Sequence, residues 1–372
     1  MKKILGIVFV VLVAYACSSD DSSPEDQGPT PSSFDRTALL ENWADNIIVP
    51  GYVDFDSKVA ALESNTLLFS NQPTESNLEA LRVSWLDAYT TWQRVSMFEI
   101  GPAETVGLRL NVNIFPANVT NIEDNITNGT YNLTLSSNRS AKGFPALDYL
   151  LHGIATDDVA ILAIYTGAQG TQYLQYLQDV VADMQTLTTT VLNEWQNGFR
   201  DTFVNNNGSS ATASVDRMVN DYIFYYEKFL RAGKMGIPGG IFSGSVEAGN
   251  IEALYAGNLS KQLFLEGLDA VQDFFNGRAY NGNAQGESLN SYLDALNVIK
   301  DGADLNVIIN SQFNAAREAV QGLGSFEQEL QNNPPVTFLN AYDEVQRIVP
   351  LLKVDAVSAL SISIDFADAD GD

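Results

Sequence analysis

Apolar residues that recur every three to four positions, punctuated by proline and glycine, constrain this chain more than any other feature. Leu78, Leu81, Trp85, Ala88, Tyr89, Trp92 and Met97 fall on one face of a helix, a spacing that only an amphipathic helix turns into a single buried stripe. Thr74 stands where an N-cap belongs, and Gly101-Pro102 where such a helix must stop. An earlier stripe of Leu39, Leu40, Trp43, Ile47 and Ile48 is expected to end at Pro50-Gly51, and Phe55, Val59, Leu62, Leu67 and Leu68 predict a second helix closed by Gln72-Pro73.

Further helices are expected from Phe144 to His152, with Pro145 in the first turn, from Asp157-Asp158 onward, from Gln172 to Phe203, and from Val215 to Leu230. Others are expected over 247–276, 288–300, 303–321 and 336–356. Residues 103–139 are rich in Asn, Thr and Gly and read as a long irregular excursion, and the glycines between Gly233 and Gly240 predict a second interruption. A short β-like run covers 359–364. The best internal break is 205–210, which divides the body into helical bundles over 34–205 and 206–372. The predicted fold class is all-α.

The first sixteen residues have a different character. A basic start, an apolar run from Ile4 to Val13 and a small-residue exit are the layout of a secretory signal. The run is shorter than the roughly 20 residues that span a bilayer. Cys17 follows at once and is the only cysteine, so no intramolecular disulfide can form. The segment resembles a bacterial lipobox, which implies lipid on Cys17 and a membrane as partner, since each buried methylene of an acyl chain adds about 0.8 kcal/mol. Residues 17–33 then read as a lipidated cysteine and a tether rich in Ser, Pro and acid. Ser18-Ser19-Asp20-Asp21 resembles the surface-export signal of Bacteroidota-type lipoproteins. The expected location is the outer membrane, facing the cell surface, with the periplasm as the other possibility.

With 46 acidic and 20 basic residues the net charge is −26, which repels phosphate backbones and argues against nucleic acid as a partner. The acidic run from Asp365 to Asp372 imitates a calcium loop but lacks the Glu that such a loop needs at position 12.

Two blocks carry a family resemblance. Residues 85–102 read Trp-Leu-Asp-Ala-Tyr-Thr-Thr-Trp-Gln-Arg-Val-Ser-Met-Phe-Glu-Ile-Gly-Pro, and residues 143–153 read Gly-Phe-Pro-Ala-Leu-Asp-Tyr-Leu-Leu-His-Gly. They resemble the Trp…Arg…Phe-Glu-x-Gly-Pro and Gly-x-His-x-x-Glu-Tyr-Leu-Leu blocks of the imelysin-like, or M75 peptidase, family. The segments 234–240 and 256–260 also look similar to its lipoprotein members. The resemblance implies two packed helical bundles with a cleft between them, a link to iron uptake with envelope iron-uptake components as partners, and kinship with a founding member described as a secreted metallopeptidase.

The residues limit that chemistry. Where the family's second block has His and Glu, this chain has Pro145 and Asp148, and proline offers no ligand. His152 is the only histidine. A catalytic zinc ordinarily takes three His, Cys or carboxylate ligands; carboxylates alone favour hard cations. No catalytic residue is therefore assigned and the metal stays unidentified, with iron or calcium as the candidates. Arg94, Glu99, Asp148, His152 and Lys234 are the candidate ligand-binding residues of the cleft. Asp148 and His152, four apart, are expected to pair on one helical face, which would raise the histidine pKa. The reading is a non-catalytic envelope lipoprotein that binds a ligand or partner; the alternatives are an M75-type metallopeptidase with an atypical carboxylate site and a structural surface lipoprotein.

Overall fold

The computed structural model describes residues 34–366; the leader, Cys17, the tether and the end of the acidic tail lie outside them. Helix α1 runs over 36–71, with Asp35 capping its first turn by accepting from the amides of Thr37 and Ala38 at 3.0 Å. It does not stop at Pro50-Gly51. A π-helical turn, Asn42–Ile48, precedes Val49–Asn71 without a break. Pro50 cannot donate to the carbonyl four residues back. That carbonyl, of Asn46, accepts instead from the Tyr280 amide at 2.8 Å, so a distant loop supplies the missing bond and the helix continues.

Helix α2, Glu75–Val95, starts where Thr74 accepts from the Asn77 amide at 3.3 Å. Its predicted face, from Leu78 through Trp92, is fully buried. Helix α3 begins as Gly143–Asp148 and widens into a π-helical turn, Tyr149–Gly153. Helix α4, Gly170–Glu194, lies along α1, with Gln185 and Thr189 bonded to Asp56 at 2.9 and 2.7 Å. Helix α5 is Ser214–Phe224 and continues as a π-helical Tyr225–Gly236, so Gly233 interrupts nothing. Helices α6 (Ser260–Phe275), α7 (Leu305–Gln321) and α8 (Val336–Gln346) follow.

The excursion over 103–139 is not irregular. It consists of short helices, among them Pro102–Val106, Leu108–Val112 and Val119–Asn128, joined at left-handed Gly107 and closed at left-handed Gly129. The first two have five residues each, too few to show a period. The only strands among the described residues are Ile299–Lys300 and Ala303–Asp304, a small antiparallel hairpin turned by Asp301 and Gly302 at positive φ. Residues 359–364 form no strand; the last helix ends at Leu360.

The described residues form one compact unit. Helix α2 packs against α1 from the first half of the sequence and against α6 from the second. Phe274 of α6 sits at that junction, stacked 4.8 Å from Trp43 and tilted against Phe98 and Tyr222, each at 5.4 Å. No helix among the described residues is long and apolar enough to cross a membrane.

The Gly101-Pro102 turn after α2 has a steric cause. Gly101 has φ +54°, and a Cβ there would lie 2.0 Å from Cζ of Phe199. Gly101→Ala is expected to lower the unfolding free energy by about 3 kcal/mol, combining backbone strain and overpacking. Denaturant unfolding measures it; an unchanged midpoint would show that Phe199 yields freely.

Candidate functional site

On α2, Arg82, Trp85, Leu86, Tyr89 and Gln93 lie three or four residues apart and share one flank. Against that flank packs the irregular segment 252–257, which contains left-handed Ala253 and Gly257. Asp148, at the end of the α-helical part of α3, accepts from the amides of Tyr255 and Ala256 at 2.8 Å each. One carboxylate thereby fixes two successive peptide units. Gly153 completes the fit, because a Cβ there would lie 2.3 Å from the Tyr255 ring.

Further along the flank lies a buried polar network. Tyr89 is stacked 4.4 Å from Phe144 and donates to Asn113 Oδ1 at 2.7 Å. Asn113 donates to Glu252 Oε1 at 2.8 Å, and Gln93 to the same oxygen at 3.2 Å. Lys234, on the π-helical end of α5, donates to Gln93 Oε1 at 2.5 Å and forms a salt bridge with Glu252. Burial pushes the Lys234 pKa down while the Glu252 carboxylate works against it. Lys234, Glu252 and Gln93 are all buried.

His152 does not pair with Asp148. The π-helical turn over 149–153 changes the angular register that would stack residues four apart, and both Asp148 oxygens are taken by the 255–256 amides. The imidazole packs 5.2 Å from Trp85, and its Nε2 is buried with no hydrogen-bond partner. Its pKa is lowered, not raised, to about 4: burial disfavours the cation, Arg82 repels it, and Asp158 offsets only part. Arg82 itself donates to the Leu151 carbonyl at 3.1 and 2.8 Å and to Asp158 at 2.7 Å. Beside His152 opens a depression of about 260 Å³, lined also by Glu79, Arg82, Val83, Trp85, Leu86, Ala256, Gly257 and Leu259.

Asp148, His152 and Lys234 thus gather around segment 252–257, whereas Arg94 and Glu99 do not join them. Arg94 faces α6, bonded to Glu266 at 2.8 Å and Asp273 at 3.5 Å. Glu99 accepts from the Arg109 amide at 2.8 Å, beside an Asp221 carboxylate that takes Arg109 Nη2 on both oxygens at 3.0 Å. Burial pushes the Glu99 carboxyl up to about 7 and the Asp148 carboxyl up to about 7, against the pull of their hydrogen bonds. Sequence reasoning missed Glu252, Gln93, Asn113 and Arg82. Gln93 carried a signal, four residues past Tyr89 on the same face; Glu252, in an irregular segment, carried none.

The metal that a metallopeptidase resemblance would imply does not match these donors. Pro145 supplies no ligand, Asp148 is committed to two amides, and His152 points elsewhere. Among the described residues no three of His, Cys, Asp and Glu come together in a way that could hold an ion.

The architecture defines an all-helical protein in which part of each signature block, Trp85 and Gln93 of the first and Asp148 and His152 of the second, lies against a clamped turn. The family model for peptidase M75, imelysin, matches residues 48–349, and the chain belongs to that family. Iron-regulated protein A of Synechococcus elongatus is 27% identical over 112 residues, a match that covers 30% of this chain and 30% of that protein's length. Two solved structures share the fold with a TM-score of 0.68 and 16% identity, each over 89% of this chain and 97% of theirs. One is an iron-regulated protein A precursor from Parabacteroides distasonis, the other an imelysin-like protein from Psychrobacter arcticum.

Two outcomes follow from the geometry. Glu252→Gln leaves Lys234 buried without its counter-charge and is expected to cost about 3–5 kcal/mol, which the double variant Lys234→Met/Glu252→Gln recovers in large part; urea unfolding measures both. The imidazole of His152, the only histidine, is expected to titrate near pH 4 by NMR. The folded protein binds that proton less readily than the unfolded chain. This contribution to stability is therefore complete above the unfolded pKa of about 6.5 and is lost as pH falls toward 4. Titration near 6.5 would mean that the ring is solvated, and a clearly higher value that it has a carboxylate partner.

Proposed function

We propose that this imelysin-family protein is a non-catalytic envelope lipoprotein that binds a ligand or partner, with a role in iron acquisition. One observation carries the loss of catalysis. Where the family's second block has a His and a Glu, the chain has Pro145 and an Asp148 whose two oxygens both serve the backbone of residues 255 and 256. A carboxylate used as a structural clamp is poorly placed to poise a water or hold a metal. The iron role draws on the relatives named for iron regulation. Anchoring through lipid on Cys17, with the body facing outward from the outer membrane, draws on the leader, the lone cysteine and the acidic tether.

A second reading, an acid–base peptidase, draws on Glu99. Its carboxyl, raised to about 7, borders a depression of about 160 Å³ that Glu104, Asp221 and Asp365 also line, and a carboxyl protonated near neutrality can act as a general acid. Peptide cleavage by the purified lipoprotein, with and without chelator and with Glu99→Gln alongside, decides between them. The expected result is no cleavage above a buffer control. Chelator-sensitive turnover would overturn the binding reading, and turnover lost only in Glu99→Gln would establish the second.

A further inference from the structure

We propose that the cavity between α2, α6 and α7 binds a sugar acid, a hydroxylated ring with one carboxylate, with Arg278 taking the carboxylate and Asn314 and Asp269 meeting hydroxyls. At about 350 Å³ the cavity stands at the low end of small-molecule sites, which suits one ring and not a longer chain. Every residue that lines it is polar, so a hydrophobic ligand would gain little there. Three of the chain's 20 basic residues line it, Arg94, Arg278 and Arg317, against two of its 46 acidic ones, Asp269 and Asp273. The rest of the chain's negative charge weighs less than this lining, because salt screens exposed charges beyond about 10 Å.

The hydrogen bonds separate the groups already taken from those left for a ligand. All three lining amides have their carbonyl oxygens taken. Gln272 Oε1 accepts from Arg317, and Asn276 Oδ1 from Asn290 at 2.8 Å and Asn310 at 3.0 Å. Asn314 Oδ1 accepts from Gln272 at 3.2 Å and Arg317 at 2.9 Å. Arg317 is held further by Asp269, and Arg94 by Glu266 and Asp273. What is left is mainly donors. Among the described residues neither Nη of Arg278 nor Nδ2 of Asn314 makes a hydrogen bond, and both side chains are exposed. Asp269 keeps one carboxylate oxygen as an acceptor.

The backbone places Arg278. Gly277, at φ +66°, closes α6: its amide donates to the Phe274 carbonyl at 3.0 Å, and the Arg278 amide to the Asp273 carbonyl at 2.9 Å. The Asp273 carboxylate lies 3.2 Å from Arg278 Nε and orients the guanidinium, whose two Nη atoms remain for a ligand. Such an edge pairs with a carboxylate through two parallel hydrogen bonds. Hydroxyls suit the remaining groups, since each can accept from the Asn314 amide or donate to Asp269.

The proposal rests on the binding reading only for its biological meaning, and the two fail separately: chelator-sensitive cleavage defeats that reading, and the titration below tests this cavity alone. The probes are glucuronate, its neutral amide glucuronamide, and cyclohexanecarboxylate, which keeps the carboxylate and lacks the hydroxyls. Calorimetric titration of the detergent-solubilised lipoprotein at low salt is expected to show saturable binding of glucuronate. Each of the other two is expected to bind about tenfold more weakly, the worth of a hydrogen bond to a charged group. Arg278→Gln is expected to abolish glucuronate binding in a protein that still folds, because backbone groups make the cap of α6. Asn314→Asp, at an exposed helical position, sets a like charge beside the ligand and is expected to weaken glucuronate about tenfold. Equal affinities for glucuronate and either analogue, no saturable binding at millimolar glucuronate, or undiminished binding in either folded variant would each overturn the proposal.

Discussion

The carboxylate of Glu252 is the constraint on which the centre of this molecule depends. A charge buried this deeply is tolerated only if it is paired and hydrogen-bonded, and its partners come from separate parts of the chain. Gln93 comes from α2, Asn113 from the short-helix excursion and Lys234 from α5. The Glu252 backbone carbonyl accepts from the hydroxyl of Ser260, the first residue of α6. Each of these elements must arrive in register or leave a buried polar group unmatched. The network thus adds positional definition to a junction whose cohesion comes from Phe274, Trp43, Phe98 and their neighbours.

Asp148 extends the same logic to the signature block. Its carboxylate draws together α3 and segment 252–257, and the turn it holds is one wall of the cavity beside His152. Asp148, inside a signature block, serves as a backbone clamp. The π-helical turns contribute as well. The one after Asp148 separates His152 from it, and the one at the end of α5 carries Lys234 into the network. Such turns recur at functional sites because they re-aim side chains without ending a helix.

Much of the fold was legible in the residues. The helix starts at Thr74 and Asp157 were readable because capping is a local interaction between neighbours, and the structure shows both side chains accepting amides of the first turn. The buried face of α2 was readable because helical spacing projects directly onto burial. The helix through Pro50 was not, since the bond that rescues it comes from Tyr280, 230 residues away. The pairing of Asp148 with His152 failed for a related reason: an i, i+4 argument assumes an α-helix, and tertiary packing supplied a wider turn.

By itself, then, the sequence determined the helical class, the caps, the core faces and a donor set of one histidine and one cysteine, all matters of composition or of neighbours within a few residues. Only the tertiary structure decided which carboxylate meets which cation, that Arg94 and Glu99 lie apart from Lys234, and that the lone imidazole borders a cavity without a partner. Those outcomes depend on contacts between residues far apart in the chain, and the energy of a buried polar group is set by whatever folding places beside it.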